Sequence, residues 1–170
     1  MGIDKVKFDF IKKNVPSFNK MIMMELGNQI IKEDLSTIIK TGKEFWSNLG
    51  CYHFSIDLNG LDGTMGIDLS LPIVYYDNFF DIVTNITVTN SIDKYNVGYD
   101  NIYRFCKDGG KIFHCLPARN SKWSKTHYAG RKFYEEMALK YSMALIDYDD
   151  YKKSKDGKLT LAAFHKNGNI

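Results

Sequence analysis

Four predicted strand ends carry acidic or amide side chains: Glu25-Leu26-Gly27-Asn28, Asp57-Leu58-Asn59-Gly60, Asp68-Leu69-Ser70 and Thr84-Asn85. Carboxylates and amides at the carboxyl edge of a sheet form a polar rim over an apolar body, which suits a small ligand with hydroxyl and amine donors. Gly27 permits close backbone approach at its turn, and Asn28 is among the few other residue types that tolerate the left-handed region. A second group follows the fifth predicted strand. Residues 118–129 hold Arg119, Asn120, Trp123, Lys125, His127 and Tyr128, combining donors, aromatic faces and a side chain that titrates near neutral pH. The stretch exceeds the usual strand-to-helix connection of about two to six residues, which favours function or disorder over simple linkage. His114, between Phe113 and Cys115 in an apolar run, is expected to be a core histidine. His127 in its polar loop is the better general-base candidate, and Asn85 is a further catalytic candidate. The three cysteines, Cys51, Cys106 and Cys115, show no paired spacing, and the four histidines are not spaced as a zinc site, so no metal is expected.

The elements that must position these residues alternate between short apolar runs and longer amphipathic ones, the pattern of βαβ units. A leading helix is expected over residues 4–14, ending before Pro16. Strands are expected over Lys20–Leu26, Cys51–Leu58, Thr64–Asp68, Phe80–Thr84 and Lys111–Leu116. Ile30, Ile31, Leu35, Ile38, Ile39, Phe45, Trp46 and Leu49 recur at three and four, predicting a helix over Gln29–Leu49 that is interrupted near Gly42. A second helix is expected over Asp93–Lys107, capped by Asp93 and stopped by Gly109–Gly110, and a third over Gly130–Lys140. Ser142–Tyr148 and Lys158–His165 read as a closing pair of strands, with Asp156–Gly157 a hairpin turn between them.

Length and composition limit the function classes. The 170 residues fit one domain, 1–170, with 1–16 as leading helix and lead-in. Hydrophobic residues make up 44% and charged residues 25%, in the ordinary globular range. The net charge of +3 is too slight to argue for a nucleic-acid partner. No apolar run approaches the roughly 20 residues needed to span a bilayer, and the opening MGIDKVKFDF lacks a signal-peptide core, so a cytoplasmic protein without a membrane partner is expected. Oligomeric state is not legible.

The Glu25-x-Gly27 turn after the first strand, Asp57 closing the second, Asp68 after the third, then FDIVTN and RFCKDGGKIFHCLP, resemble the class I S-adenosylmethionine-dependent methyltransferases. The similarity runs from about Met21 to Pro117 and extends to the terminal hairpin. The resemblance implies an α/β, Rossmann-like three-layer sandwich: a seven-stranded, mostly parallel sheet with an antiparallel terminal hairpin strand. It implies S-adenosylmethionine at the carboxyl ends of the first strands. Glu25 would accept hydrogen bonds near the methionine part or organise the loop, and Gly27 and Asn28 would lie beside the cofactor. Asp57 would take the ribose hydroxyls, and Asp68 with the Leu69 backbone would meet the adenine edge. Leu58 and Ile67 would sandwich the adenine, and Asn85 would border the cofactor. The implied activity is methyl transfer to a small-molecule or sugar acceptor.

The family's first turn is glycine-rich, whereas only Gly27 is present in Glu25-Leu26-Gly27-Asn28-Gln29-Ile30. The alternative is therefore a catalytically silent binding or assembly module on the same fold. A nicotinamide-dependent dehydrogenase lacks its G-x-G-x-x-G turn here, and a nucleic-acid methyltransferase lacks a D/N-P-P-Y/F motif.

Overall fold

The computed structural model describes residues 2–118, 127–152 and 158–167. Arg119, Asn120, Trp123, Lys125 and the predicted Asp156–Gly157 turn lie outside the described residues.

The chain opens with β1 (Gly2–Ile3) and α1 (Lys5–Asn14). The Asp4 carboxylate caps α1 by accepting from the Lys7 amide, while Lys12 and Lys13 complement the dipole of its last turn. Then come β2 (Ile22–Leu26), β3 (Ile30–Ile31), α2 (Gly42–Asn48), β4 (Tyr52–Asp57), β5 (Met65–Gly66) and β6 (Phe80–Ile86). A 3-10 turn at Thr89–Ser91 leads to α3 (Tyr95–Phe105), β7 (Cys106–Pro117), α4 (Arg131–Lys140), β8 (Met143–Lys152) and β9 (Lys158–Lys166).

The main sheet has seven strands in the order β5-β4-β2-β6-β7-β9-β8. The pairs from β5 to β7 are parallel, and β9 runs antiparallel to both β7 and β8. Alternation along the strands assigns side chains to two cores. Met24 and Leu26 of β2 join Tyr99, Ile102 and Phe105 of α3 and Tyr134 of α4. Met23 joins Phe10 and Ile11 of α1 and Phe45 and Trp46 of α2 on the other face. Burial on both faces is why these strands are apolar runs. In α3, Gly98 allows close packing: a Cβ there would lie 2.8 Å from the Ile92 Cδ1.

Three expectations are corrected. The helix over Gln29–Leu49 is helical only at Gly42–Asn48. Ile30 and Ile31 instead pair in parallel with Gly2 and Ile3, a partner 28 residues away that outweighs the local helical spacing. The helix expected from Asp93 begins at Tyr95 without a side-chain cap, and it ends at Phe105 rather than at Gly109–Gly110. Those glycines lie inside β7, where the register with β6 shifts between Phe80 and Ile82. The expected third strand contracts to Met65–Gly66.

Candidate functional site

The sheet changes direction of growth at β2: the chain adds β4 and β5 on one side, then returns to place β6 on the other. Such a switch point leaves a crevice outside the carboxyl ends of the strands, where ligands bind in open α/β sheets. A cleft of about 250 Å³ lies there, walled by Leu26 and Gly27 at the end of β2, Ile56–Leu58 at the end of β4, Ile67–Leu69 after β5, and Thr87, Val88, Ser91 and Ile92 after β6.

The carboxylate of Asp57 is held by the chain around it. Its Oδ2 accepts from the Asn28 amide at 2.9 Å and its Oδ1 from the Asn59 amide at 3.2 Å. Each carboxylate oxygen has a second lone pair, so a ligand's adjacent hydroxyls can still be received. Asn28 Nδ2 donates to Asp62 Oδ2 at 2.7 Å and ties the neighbouring turns together. Gly27 has φ of +80°, and a Cβ there would fall 2.8 Å from Gln29 Nε2 and 2.9 Å from Val88 Cγ2. Only glycine fits this turn without strain. Gln29 Nε2 donates to the carbonyls of Leu26 and Ile86 at 3.2 Å each, so its amide spans the gap between β2 and β6.

At the far wall, Asp68 Oδ1 accepts from the Ser70 amide at 2.8 Å. Hydrogen bonds from the Ser70 hydroxyl and amide hold its carboxyl below the usual range. Asn101 of α3 fixes the loop that follows: Nδ2 donates to the Leu69 and Leu71 carbonyls, and Oδ1 accepts from the Ile73 amide.

Of the expected site residues, Gly27, Asp57, Leu58, Ile67, Asp68 and Leu69 line this one cleft, and Asn28 reaches it through Asp57. Glu25 and Asn85 do not line it. Glu25 faces the α2 layer, 1% exposed, where Trp46 Nε1 donates to Oε1 at 3.1 Å and His53 Nε2 stands 3.3 Å from Oε2. Burial pushes its carboxyl up, opposed by His53 and Trp46. Asn85 is fully buried. Its Oδ1 accepts from the amides of Val88 and Thr89, and its Nδ2 meets Thr89 Oγ1 at 2.8 Å and His114 Nδ1 at 2.9 Å.

His114 is a core residue, as its apolar strand suggested, and burial drives its pKa down to about 3. Nε2 of His127 meets the Tyr99 hydroxyl at 2.7 Å, its ring lies 4.3 Å from that of Tyr95, and burial lowers its pKa. Val88, Ile92, Ser91 and the Thr89–Tyr99 link were not foreseen. The left-handed Thr87, with φ of 58°, sits where the chain turns from β6 into them, and TNITVTN carries no sequence signal for that turn.

A larger open groove of about 700 Å³ lies along Ile30–Asp34 with Asp4, Lys40 and Tyr151. Its charges are of both signs, and it is not lined by the strand-end turns, so the smaller cleft is the better ligand site. Among the described residues no group of three or more His, Cys, Asp or Glu is placed to hold a metal. No described helix is long and apolar enough to cross a membrane.

This strand order, with the antiparallel β9 and the switch-point cleft, is the fold of the class I S-adenosylmethionine-dependent methyltransferases. By sequence, no family model and no curated protein matches the chain. By structure, the Burkholderia thailandensis 1,6-didemethyltoxoflavin-N1-methyltransferase with bound S-adenosylhomocysteine aligns with a TM-score of 0.71 at 9% identity, over 96% of this chain and 78% of that one. The N-methyltransferase NodS of Bradyrhizobium japonicum, with S-adenosylhomocysteine, aligns at 0.69 and 14% identity, over 96% and 87%. The [4+2]-cyclase SpnF aligns at 0.71 and 10% identity, over 98% and 81%, so the fold also carries other chemistry.

Proposed function

We propose that the protein binds S-adenosylmethionine in the switch-point cleft and transfers its methyl group to a small-molecule acceptor. The observation that carries this is Asp57: a carboxylate fixed by two backbone amides at the end of a parallel strand, beside the Gly27 turn and apolar walls. The residues fit the adenosyl half. Asp57 would take the ribose hydroxyls, Leu58, Ile67 and Ile92 would enclose the base, and Asp68 with the Leu69 backbone would meet its edge. Glycine at position 27 is required by its φ of +80° and by Gln29 and Val88, which a Cβ would meet at 2.8 and 2.9 Å, and it holds the turn at the cleft.

The sulfonium supplies an activated methyl group, and in-line displacement needs placement more than proton transfer. The chain's contribution is therefore to orient the cofactor and to keep water from the apolar walls. Tyr95, Tyr99 and His127 lie on the acceptor side of this reading. On this reading residues 1–170 act as one domain in the cytoplasm, without a nucleic-acid or membrane partner.

The second reading is a silent binding module. It is favoured by Gln29, whose side chain closes the gap between β2 and β6 where the family's turn is glycine-rich. Thermal shift and calorimetry with S-adenosylmethionine, S-adenosylhomocysteine and NAD test the cofactor assignment. Stabilisation by either sulfur nucleoside is expected, and stabilisation by NAD alone overturns it. A screen of sugars, small acids and nucleotides with labelled cofactor then separates enzyme from module.

A further inference from the structure

We propose that one carboxamide, Asn85, sets the protonation of two histidines in opposite senses, placing the proton of His114 on Nε2 and that of His127 on Nδ1, the latter by way of Thr89 and Tyr99. The argument is a count of donors. Backbone amides only donate, so the Asn85 atom that receives the Val88 and Thr89 amides, both at 3.3 Å, is the carbonyl oxygen. The other atom is then the NH2 group, and its two hydrogens go to Thr89 Oγ1 and to His114 Nδ1. His114 Nδ1 must accept, so its ring carries its proton on Nε2.

The second branch runs the same way. Thr89 Oγ1 has accepted from Asn85 and donates its own hydrogen to the Tyr99 oxygen at 3.0 Å. Tyr99 has accepted from Thr89 and has one hydrogen left, with His127 Nε2 at 2.7 Å to take it. An Nε2 that accepts has no proton, so neutral His127 is protonated on Nδ1. Asn85, Thr89 and Tyr99 are almost wholly buried, which keeps water from offering alternatives. Burial also raises the Tyr99 phenol, which therefore keeps its hydrogen, and lowers both histidines, which therefore stay neutral.

For the acceptor side, this makes Tyr99 a positioning residue. It fixes His127 over Tyr95 with the Nε2 lone pair already engaged and Nδ1 already protonated. On the methyl-transfer reading, on which only this consequence rests, His127 orients the acceptor and does not remove its proton. The acceptor is then a group nucleophilic without that ring as base, such as a free amine or a carboxylate.

The test uses the full chain, 15N-labelled and free of ligand, so failure of the cofactor reading cannot imitate failure here. Long-range 1H–15N correlation near neutral pH distinguishes protonated from unprotonated ring nitrogens, with His114→Gln and His127→Gln supplying assignments. The expected result is opposite patterns: His127 protonated on Nδ1, His114 on Nε2. Tyr99→Phe should release His127 toward the Nε2-protonated form while His114 stays unchanged. Should that variant fail to fold, Thr89→Val interrupts the chain one link earlier, and the parent spectrum decides by itself. His127 protonated on Nε2 in the parent, or a His127 pattern indifferent to Tyr99→Phe, overturns the proposal.

Discussion

Two carboxylates close neighbouring parallel strands in this molecule, and they have opposite surroundings. Glu25 is the penultimate residue of β2 and turns into the α2 layer, enclosed by Trp46 and His53. Asp57 is the last residue of β4 and stays at the cleft, held by the backbone amides of Asn28 and Asn59. Glu25 pairs with Ser55, so Asp57, two residues further on, shares its face of the sheet and differs in lying nearer the carboxyl edge, where the cleft opens. In this protein Glu25 is enclosed and Asp57 borders the cleft.

The sharpest way to break the contrast is Glu25→Ala. It leaves the buried Trp46 Nε1–H without its acceptor, and an unsatisfied buried donor costs about 1–3 kcal/mol. Chemical denaturation should show a large fall in the unfolding midpoint. Glu25→Gln, which keeps an acceptor for Trp46 Nε1, should lose far less. The pH dependence has a definite sign. The folded carboxyl is raised above its ordinary value by burial, so the native state binds the proton more tightly than the unfolded chain. That contribution is fully present below the unfolded value of about 4.5 and is lost as pH rises through the raised one. Glu25→Gln should remove this slope. A slope unchanged in the variant would assign it to other groups.

Asp57→Ala should do the reverse, leaving the fold nearly intact and weakening S-adenosylhomocysteine by about 1.5–3 kcal/mol, the worth of a charge-assisted hydrogen-bond pair. Calorimetry beside a melting curve reads both, and unchanged affinity in a folded variant removes the ribose assignment. The smallest effect is expected at Leu58, which is 75% exposed. Leu58→Ala should leave stability within about 0.5 kcal/mol, yet weaken nucleoside binding measurably. If stability drops as affinity holds, Leu58 is a packing residue.

The sequence carried the sheet better than the layers around it. The apolar runs at Lys20–Leu26, Phe80–Thr84 and Lys111–Leu116 all fall on observed strands, because burial on both faces writes itself as unbroken hydrophobicity. Ile30 and Ile31 misled because their partner, Gly2–Ile3, is distant in sequence and a helical spacing is satisfied by chance. A signal for the true start of α2 was present in Thr41-Gly-Lys-Glu44, a capping-box pattern whose Thr41 hydroxyl receives the Glu44 amide. For the site, strand-end glycine and acid placed Gly27, Asp57 and Asp68 on one cleft. The inward turn of Glu25 depends on which face α2 covers, and the Thr89–Tyr99 link joins separate elements, so neither leaves a mark in local sequence.

The order β5-β4-β2-β6-β7-β9-β8 also puts β5 and β8 at the two margins of the sheet among the described residues. An open sheet exposes two unpaired margins, and each is a template for strand addition and fibre growth. One margin here is β5, only two residues long. The other is β8, ten residues long and carrying Asp149 and Asp150, while its Asp147 is paired with Lys13 of α1. A second copy approaching in register would set like charges against each other. Brevity guards one side and acidity the other, so charge-neutral replacement of Asp149 and Asp150 is where self-association at high concentration would begin.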